Sequence, residues 1–191
     1  MPKVHRDTDM VKIIAAARRY ERWAFEELYN SYADKLFRFL LLRVGSRAEA
    51  EDLVAMAFER VLQRIDTFKG KSVASFSAWI YQVARNLLID HYRRKQKLNA
   101  APLEEHHHIT IADKSPGPQR HIEATETTKM LYDAIANLTP EQQQVITLKF
   151  FEGMSNAEIA AVVGKNEGAV KSLQHRALAS LARFMPVEEK R

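Results

Sequence analysis

Apolar residues return every third or fourth position along two long stretches of this chain. Between them the pattern lapses around the breaker run Ser115-Pro116-Gly117-Pro118. A period near 3.6 is what a helix with one buried face produces, so the chain is constrained to helices in two groups. Gly and Pro together fill only 12 of 191 positions. That is about half the usual share, too few for the turns of a sandwich or barrel. The 25 Ala residues point the same way. Cys is absent, which excludes disulfides, thiolate zinc sites and cysteine nucleophiles and fits a reducing compartment. No apolar run approaches the roughly 18 residues of a membrane span. Met1 to Asp9 lack the apolar core of a signal peptide. A cytoplasmic protein with no membrane insertion is expected.

The predicted elements follow from the stripes and their punctuation. Residues 9–44 read as one or two helices, with Leu28, Tyr32, Leu36 and Phe39 on one face. Gly45 suits the left-handed position past a helix end, and Ser46 with Glu49 forms a capping-box pattern. Leu53, Ala57, Val61, Ile65 and Phe68 continue the buried face until Gly70 stops the helix. Phe76, Ile80, Val83 and Leu87 mark another helix reaching about Lys97. In the second group Leu131, Ile135 and Leu138 share a face. Thr139-Pro140-Glu141-Gln142 opens a helix that runs to Gly153, with Thr as cap and Pro at the first position. Ser155 and Glu158 open a short helix, with Ile159 and Val162 buried, that stops at Gly164. Asn166 caps the last one, with Val170, Leu173, Ala177, Leu181 and Phe184 on its core side.

The fold class is therefore all-α: two small helical domains, 9–97 and 123–186, joined by a flexible acidic linker over 98–122. Only Pro186 to Arg191 follow the last predicted helix, so no further C-terminal domain is expected. Charge is divided along the same lines. Residues 1–96 carry a net +6, residues 97–126 carry −2 and residues 127–191 carry +1. Within the first block, Arg85, Arg93, Arg94, Lys95 and Lys97 face Asp90 alone. Such a run is either a solvated helix end or a phosphate-facing surface, and composition does not separate the two.

Ser155 to Leu181 reads as short helix, Gly-containing turn and longer helix, a helix-turn-helix. Small Ala160 and Ala161 let the helices cross closely, and Gly164 permits the turn. The second helix of such a motif enters the major groove by its N-terminal residues. Its outward side here is Glu167, Gly168, Lys171, Ser172, His175 and Arg176. Lys171 and Arg176 can meet phosphate or guanine, Glu167 can accept from cytosine, and Gly168 leaves room for a close approach.

Region four of bacterial sigma factors, above all the extracytoplasmic-function (ECF) group of the sigma-70 family, resembles this stretch. The likeness runs through Leu138-Thr139-Pro140-Glu141-Gln142, Phe151-Glu152-Gly153-Met154-Ser155, Glu158-Ile159-Ala160, Glu167 to Ser172 and His175-Arg176-Ala177. The first domain resembles the same family independently. Ala24 to Tyr29 is similar to its opening, Ala50-Glu51-Asp52-Leu53-Val54 with Phe58 to its polymerase-clamp segment. Trp79-Ile80, Ala84-Arg85-Asn86-Leu87 and Asp90 to Arg94 are similar to its promoter-melting segment.

The resemblance implies an alternative sigma factor, which is not an enzyme and needs no cofactor or metal. Its partners would be core RNA polymerase (β and β′ subunits), promoter DNA and an anti-sigma factor. The second domain would read the −35 element as duplex through the six residues above. The first would capture the −10 element as a melted strand, using Lys69, Lys71 and Ser75 of the loop before Trp79, then Arg85, Asn86, Asp90, Arg93 and Arg94. Glu49, Glu51, Asp52, Phe58 and Glu59 would meet the polymerase clamp. Trp79 can stack on a base, but Phe76, Ile80 and Val83 beside it favour a core place. The acidic linker either threads the polymerase or merely tethers.

The chain departs from the family pattern at Ala55-Met56, at Leu173-Gln174 and at His106-His107-His108. Adjacent His residues diverge, so the last is a poor metal site. The alternative reading is a stand-alone helix-turn-helix regulator binding a palindromic duplex. A metal-dependent enzyme has little behind it, since no phosphate loop or His-Glu-x-x-His helix is present.

Overall fold

The structure, a computed structural model, describes residues 3–98 and 126–184. The linker and its His106 to His108 lie outside the described residues. Among those described there is no strand. Four helices form the first group: α1 (Lys3–Ala17), α2 (Arg22–Val44), α3 (Arg47–Arg64) and α4 (Val73–Leu98). Four more form the second: α5 (Glu126–Ala136), α6 (Pro140–Ile146), α7 (Asn156–Val163) and α8 (Glu167–Phe184). No described helix is long and apolar enough to cross a membrane.

Helix ends follow local chemistry. Gly45 is left-handed at φ 69° and its N–H donates to the Leu41 carbonyl, closing α2. Thr139 and Gln142 form a full capping box at α6, and Ser155 and Glu158 another at α7. At α3 only half of the box forms. The Ser46 side chain accepts from the Glu49 N–H, but the Glu49 carboxylate turns to His91 and Lys95 of α4 instead of returning to Ser46. A charged partner outbids a neutral backbone N–H for a carboxylate.

Two expected helix ends shift. α3 stops at Arg64 rather than at Gly70, and a 3₁₀ turn over Ile65–Thr67 carries the chain on, keeping Ile65 and Phe68 buried. The helix expected to run to Gly153 keeps α geometry only to Ile146, then widens into a π turn over Thr147–Phe151. Phe184, expected on the core side of α8, is exposed.

The cores sit where the stripes meet. In domain 1, Leu28, Tyr32, Leu36 and Phe39 of α2 meet Leu53, Ala57 and Val61 of α3 and Phe76, Ile80, Val83 and Leu87 of α4, all buried. Edge-on aromatic pairs fix the packing: Phe39 against Tyr81 at 5.3 Å and Tyr32 against Phe76 at 5.5 Å. In domain 2, Ile135 and Leu138 meet Ile146, Ala177 and Leu181. The two domains also pack on each other, α4 against α7 and α2 against α5 and α6.

Candidate nucleic-acid interface

The helix-turn-helix is built by three caps and one glycine. Ser155 and Glu158 start α7, Gly164 turns left-handed at φ 70°, and Lys165 and Gly164 both donate to the Ala160 carbonyl. The Asn166 side chain then accepts from the Ala169 N–H at 2.8 Å, starting α8. Val170, Leu173, Ala177 and Leu181 are buried, so the opposite face is fixed outward. Glu167, Gly168, Lys171, Ser172, His175 and Arg176 are all exposed there. Lys171, Ser172, His175 and Arg176 line one shallow depression. The Ser172 hydroxyl donates to the Gly168 carbonyl at 3.0 Å, leaving its lone pairs outward. A Cβ on Gly168 would meet only the Asn166 side chain, at 3.4 Å, so the free space is on the outer side.

Two contacts orient this helix that sequence reasoning missed. Gln174 Nε2 donates to Asn156 Oδ1 at 3.0 Å, tying α8 to the start of α7. Lys165 in the turn pairs with Glu141 at 2.9 Å. The signal for the first was the departure at Leu173-Gln174. Leu173 takes the buried place, which leaves position 174 half-buried for a polar side chain.

In domain 1 the expected −10 residues divide into three groups. Asn86, Asp90 and Arg93 recur at helical spacing along α4, a line that Lys97 of the basic run extends, and Asn86, Arg93 and Lys97 are exposed. Asp90 pairs loosely with Arg93 at 3.8 Å, and Arg94 beside it is exposed. Arg85 is not part of that stripe. It is half-buried on the neighbouring face, near enough to Arg43 for their like charges to interact. The loop residues Lys69 and Lys71 are exposed, whereas Ser75 is committed to capping α4, accepting from the Ser72 N–H and donating to the Ser72 carbonyl.

Gly70 is demanded by packing. A Cβ there would fall 2.3 Å from Phe68 Cζ and 2.4 Å from Ser75 Oγ. The loop is thus pressed onto Phe68, whose ring lies 5.4 Å from that of Phe76 and 5.3 Å from that of Trp79. Trp79 is half-buried against the core, the place its apolar neighbours suggest.

The expected clamp residues also separate. Asp52 and Glu59 are exposed on one face of α3; Glu51 is exposed and pairs with Arg47 at 2.9 Å. Phe58 is half-buried and packs on the exposed Tyr29 at 4.8 Å. Glu49 is spent inside the domain, on Lys95 at 2.7 Å and His91 at 3.1 Å. Partial burial works to raise its carboxyl, but the bond and charge of Lys95, then His91, outweigh it and hold the group below the ordinary range. No cluster able to hold a metal ion occurs among the described residues.

Fold and site together define a two-part nucleic-acid-binding transcription factor with a helix-turn-helix in its second part. Known proteins make this specific. Residues 28–98 match the family model of sigma-70 region 2, and residues 128–181 that of sigma-70 region 4. The chain is 38% identical over 177 residues to the ECF RNA polymerase sigma factor BldN of Streptomyces coelicolor. That match covers 93% of this chain and 66% of the relative. It is 32% identical to SigX of Bacillus subtilis, another ECF sigma factor, covering 84% and 83%. Among solved structures, the sigma factor RpoE of Bartonella quintana, in complex with the anti-sigma factor NepR, shares the fold. The TM-score is 0.69 at 21% identity, over 86% of this chain and 98% of that one. The chain belongs to the ECF group of RNA polymerase sigma factors.

Proposed function

We propose that this chain is an alternative sigma factor that binds core RNA polymerase and brings it to a particular set of promoters in the cytoplasm. It acts by binding, not by catalysis. Domain 2 reads the −35 element as duplex, with α8 in the major groove. Lys171 and Arg176 supply the phosphate or guanine contacts, His175 and Ser172 flank them, and Glu167 and Gly168 lead the helix in. The observation that carries the reading is that all six stand outward on a helix whose entry is fixed by three caps.

Domain 1 captures the −10 strand after melting. Breaking a base step costs a few kcal/mol of stacking, which must come from binding, since no nucleotide hydrolysis is available. Lys69 and Lys71 in the pressed loop, with Arg93 and Arg94 on α4, neutralise phosphates, and Asn86 offers an amide to a base edge. Arg85 contributes from the adjacent face, and Ser75 acts by holding the loop. Asp52, Glu51 and Glu59, with Phe58 beside Tyr29, meet the polymerase clamp. A protein antagonist of the kind that binds the Bartonella quintana RpoE holds the factor inactive.

The test is transcription of genomic fragments by sigma-free core polymerase with and without the chain. New discrete starts that depend on the chain are expected. No new starts, with tight palindromic duplex binding by the chain alone, would sink the proposal in favour of a stand-alone regulator.

A further inference from the structure

His175 is the single His of residues 123–186, and it stands on the outward face of α8. It follows Lys171 by about one helical turn and directly precedes Arg176. The three line one shallow depression with Ser172. Val170, Leu173 and Ala177, buried on the other side of α8, keep the ring outward. A duplex that reaches both Lys171 and Arg176 therefore lies over the imidazole.

Among the described residues nothing bonds to that ring, and no carboxylate pairs with it. On α8 itself the near charges, Lys171 and Arg176, are both cations, while Glu167 and Arg183 stand about two turns away on either side. Three helices pack against α8. Of these, α6 offers Glu141, which holds Lys165 at 2.9 Å. α7 offers Glu158, whose carboxylate accepts from the Ser155 N–H at 2.7 Å. α5 offers Asp133, which makes no pair with His175. His91 of domain 1 is the opposite case, with the Glu49 carboxylate already 3.1 Å from its ring.

Charge chemistry limits what the His175 ring can do against a duplex. A neutral imidazole has one N–H and one lone pair, whereas an imidazolium has two N–H groups. Phosphate oxygens and the N7 and O6 atoms of guanine only accept. Against such a surface the lone pair of the neutral ring is wasted. The protonated ring donates twice, with the added strength of a charged donor. Imidazole is also the side chain whose charge ordinarily changes between about pH 5 and pH 8.

We propose that His175 is a proton-linked contact: binding of the −35 duplex draws a proton onto its imidazole, so acidification strengthens reading of the −35 element. This role rests on the sigma-factor reading above and adds ambient pH as an input at the same face. The sign follows from linkage. A group that holds its proton more tightly in the complex than in the free chain makes association stronger as pH falls, by at most about tenfold per pH unit for one proton.

The test uses holoenzyme assembled from core polymerase and the full chain, with a promoter taken from the chain-dependent starts. Two fragments differ only in an intact or scrambled −35 element, and the ratio of their affinities cancels pH effects outside that element. From pH 8 to pH 6 the wild-type ratio should rise about three- to tenfold, the mark of partial uptake of one proton. His175→Gln should give a flat profile. So should His175→Arg, which carries its charge at every pH. Lys171→Gln should lower the ratio at both ends and keep the rise. Circular dichroism checks that each variant keeps its helices.

A wild-type ratio that does not change with pH would overturn the proton link. So would a rise that survives in His175→Gln, which would place the titrating group elsewhere. A ratio that falls on acidification would overturn it too, since the lone pair of the ring would then be accepting from the amino group of a base. Failure of the sigma-factor reading shows instead as the absence of chain-dependent starts, so the two failures are read in different assays.

Discussion

The surfaces proposed to meet nucleic acid differ in kind between the two domains. On α8 the polar residues are external and their side chains are lightly committed. Lys171 and His175 make no hydrogen bond or ion pair among the described residues, and Arg176 only a weak bond to the Ser172 carbonyl at 3.4 Å. In domain 1 the residues proposed for the −10 strand also hold the domain together. Ser75 is tied to Ser72 at the start of α4, Asp90 pairs with Arg93, and the loop is pressed onto the Phe68 ring. A duplex is read by a rigid helix that slots into a preformed groove. A melted strand has no groove, so its receptor has to be shaped by the protein. Domain 2 should therefore lose recognition without losing stability, and domain 1 should lose both together.

The sharpest break of that contrast is the double substitution Lys171→Ala with Arg176→Ala. Each contact of this type is worth about 1–3 kcal/mol, so the pair should lower −35 duplex affinity roughly 30-fold or more. The melting temperature should stay within a degree or two, because both side chains are exposed. Unchanged −35 selectivity in the double variant would remove these residues from the groove. Raising salt should weaken wild-type duplex binding steeply and the variant less, since fewer phosphates are neutralised.

Gly70→Ala is the counterpart in domain 1 and should have the next largest effect. The added carbon lands within 2.6 Å of two atoms of the Phe68 ring and of Ser75 Oγ, so the ring or the loop must move. Overpacking of this kind costs about 1–3 kcal/mol. Unfolding of domain 1 should shift down, and protection of the melted −10 strand against permanganate-type footprinting should fall with it. Binding to a −35 duplex alone should not change. A variant with normal stability and poor strand capture would show that the loop acts on DNA independently of its packing on Phe68.

The domains also differ in how much of them the sequence disclosed. The starts of α6, α7 and α8 and the end of α7 were legible, because Thr139, Ser155, Asn166 and Gly164 act on backbone groups within four residues. The outward face of α8 followed from the buried stripe alone. What stayed hidden is long-range. Nothing local says that Glu49 will abandon its own cap for Lys95, 46 residues on. Arg85 and Asn86 are adjacent in sequence, yet one faces the Arg43 side and the other solvent, because a helix turns about 100° per residue. The domain contact left one sign that could have been read. Phe39-Leu40-Leu41-Leu42 is more apolar than one face of α2 needs, and Leu42 is the surplus that enters domain 2.

A smaller effect refines the picture of domain 2. Gln174→Ala removes the bond to Asn156 and leaves the half-buried Asn156 amide to find water. A neutral hydrogen bond is worth about 0.5–1.5 kcal/mol. Stability should fall by that amount, and −35 affinity should fall a few-fold because α8 is held less firmly against α7. If stability falls and affinity does not, the groove-facing helix is positioned by its apolar stripe alone.

The smallest effect belongs to Glu49, and its sign is fixed by chemistry. The group is held below its ordinary range when folded, by Lys95 first and His91 second, against a partial burial that works the other way. A depressed carboxyl adds stability above its unfolded pKa, near 4.3, and that stability is lost as pH falls through the lower folded value. Glu49→Gln should therefore cost something at pH 7, at most about 1 kcal/mol for a partly exposed pair. The cost should shrink toward zero as both proteins are acidified through that lower folded value, below which the wild-type carboxyl is itself neutral. Because the ion pair joins the start of α3 to the end of α4, the loss should appear in the unfolding of domain 1 and not in −35 duplex binding. A penalty that stays constant from pH 7 to pH 3 would mean that Glu49 contributes through packing rather than charge. The α3–α4 staple would then be no electrostatic device at all.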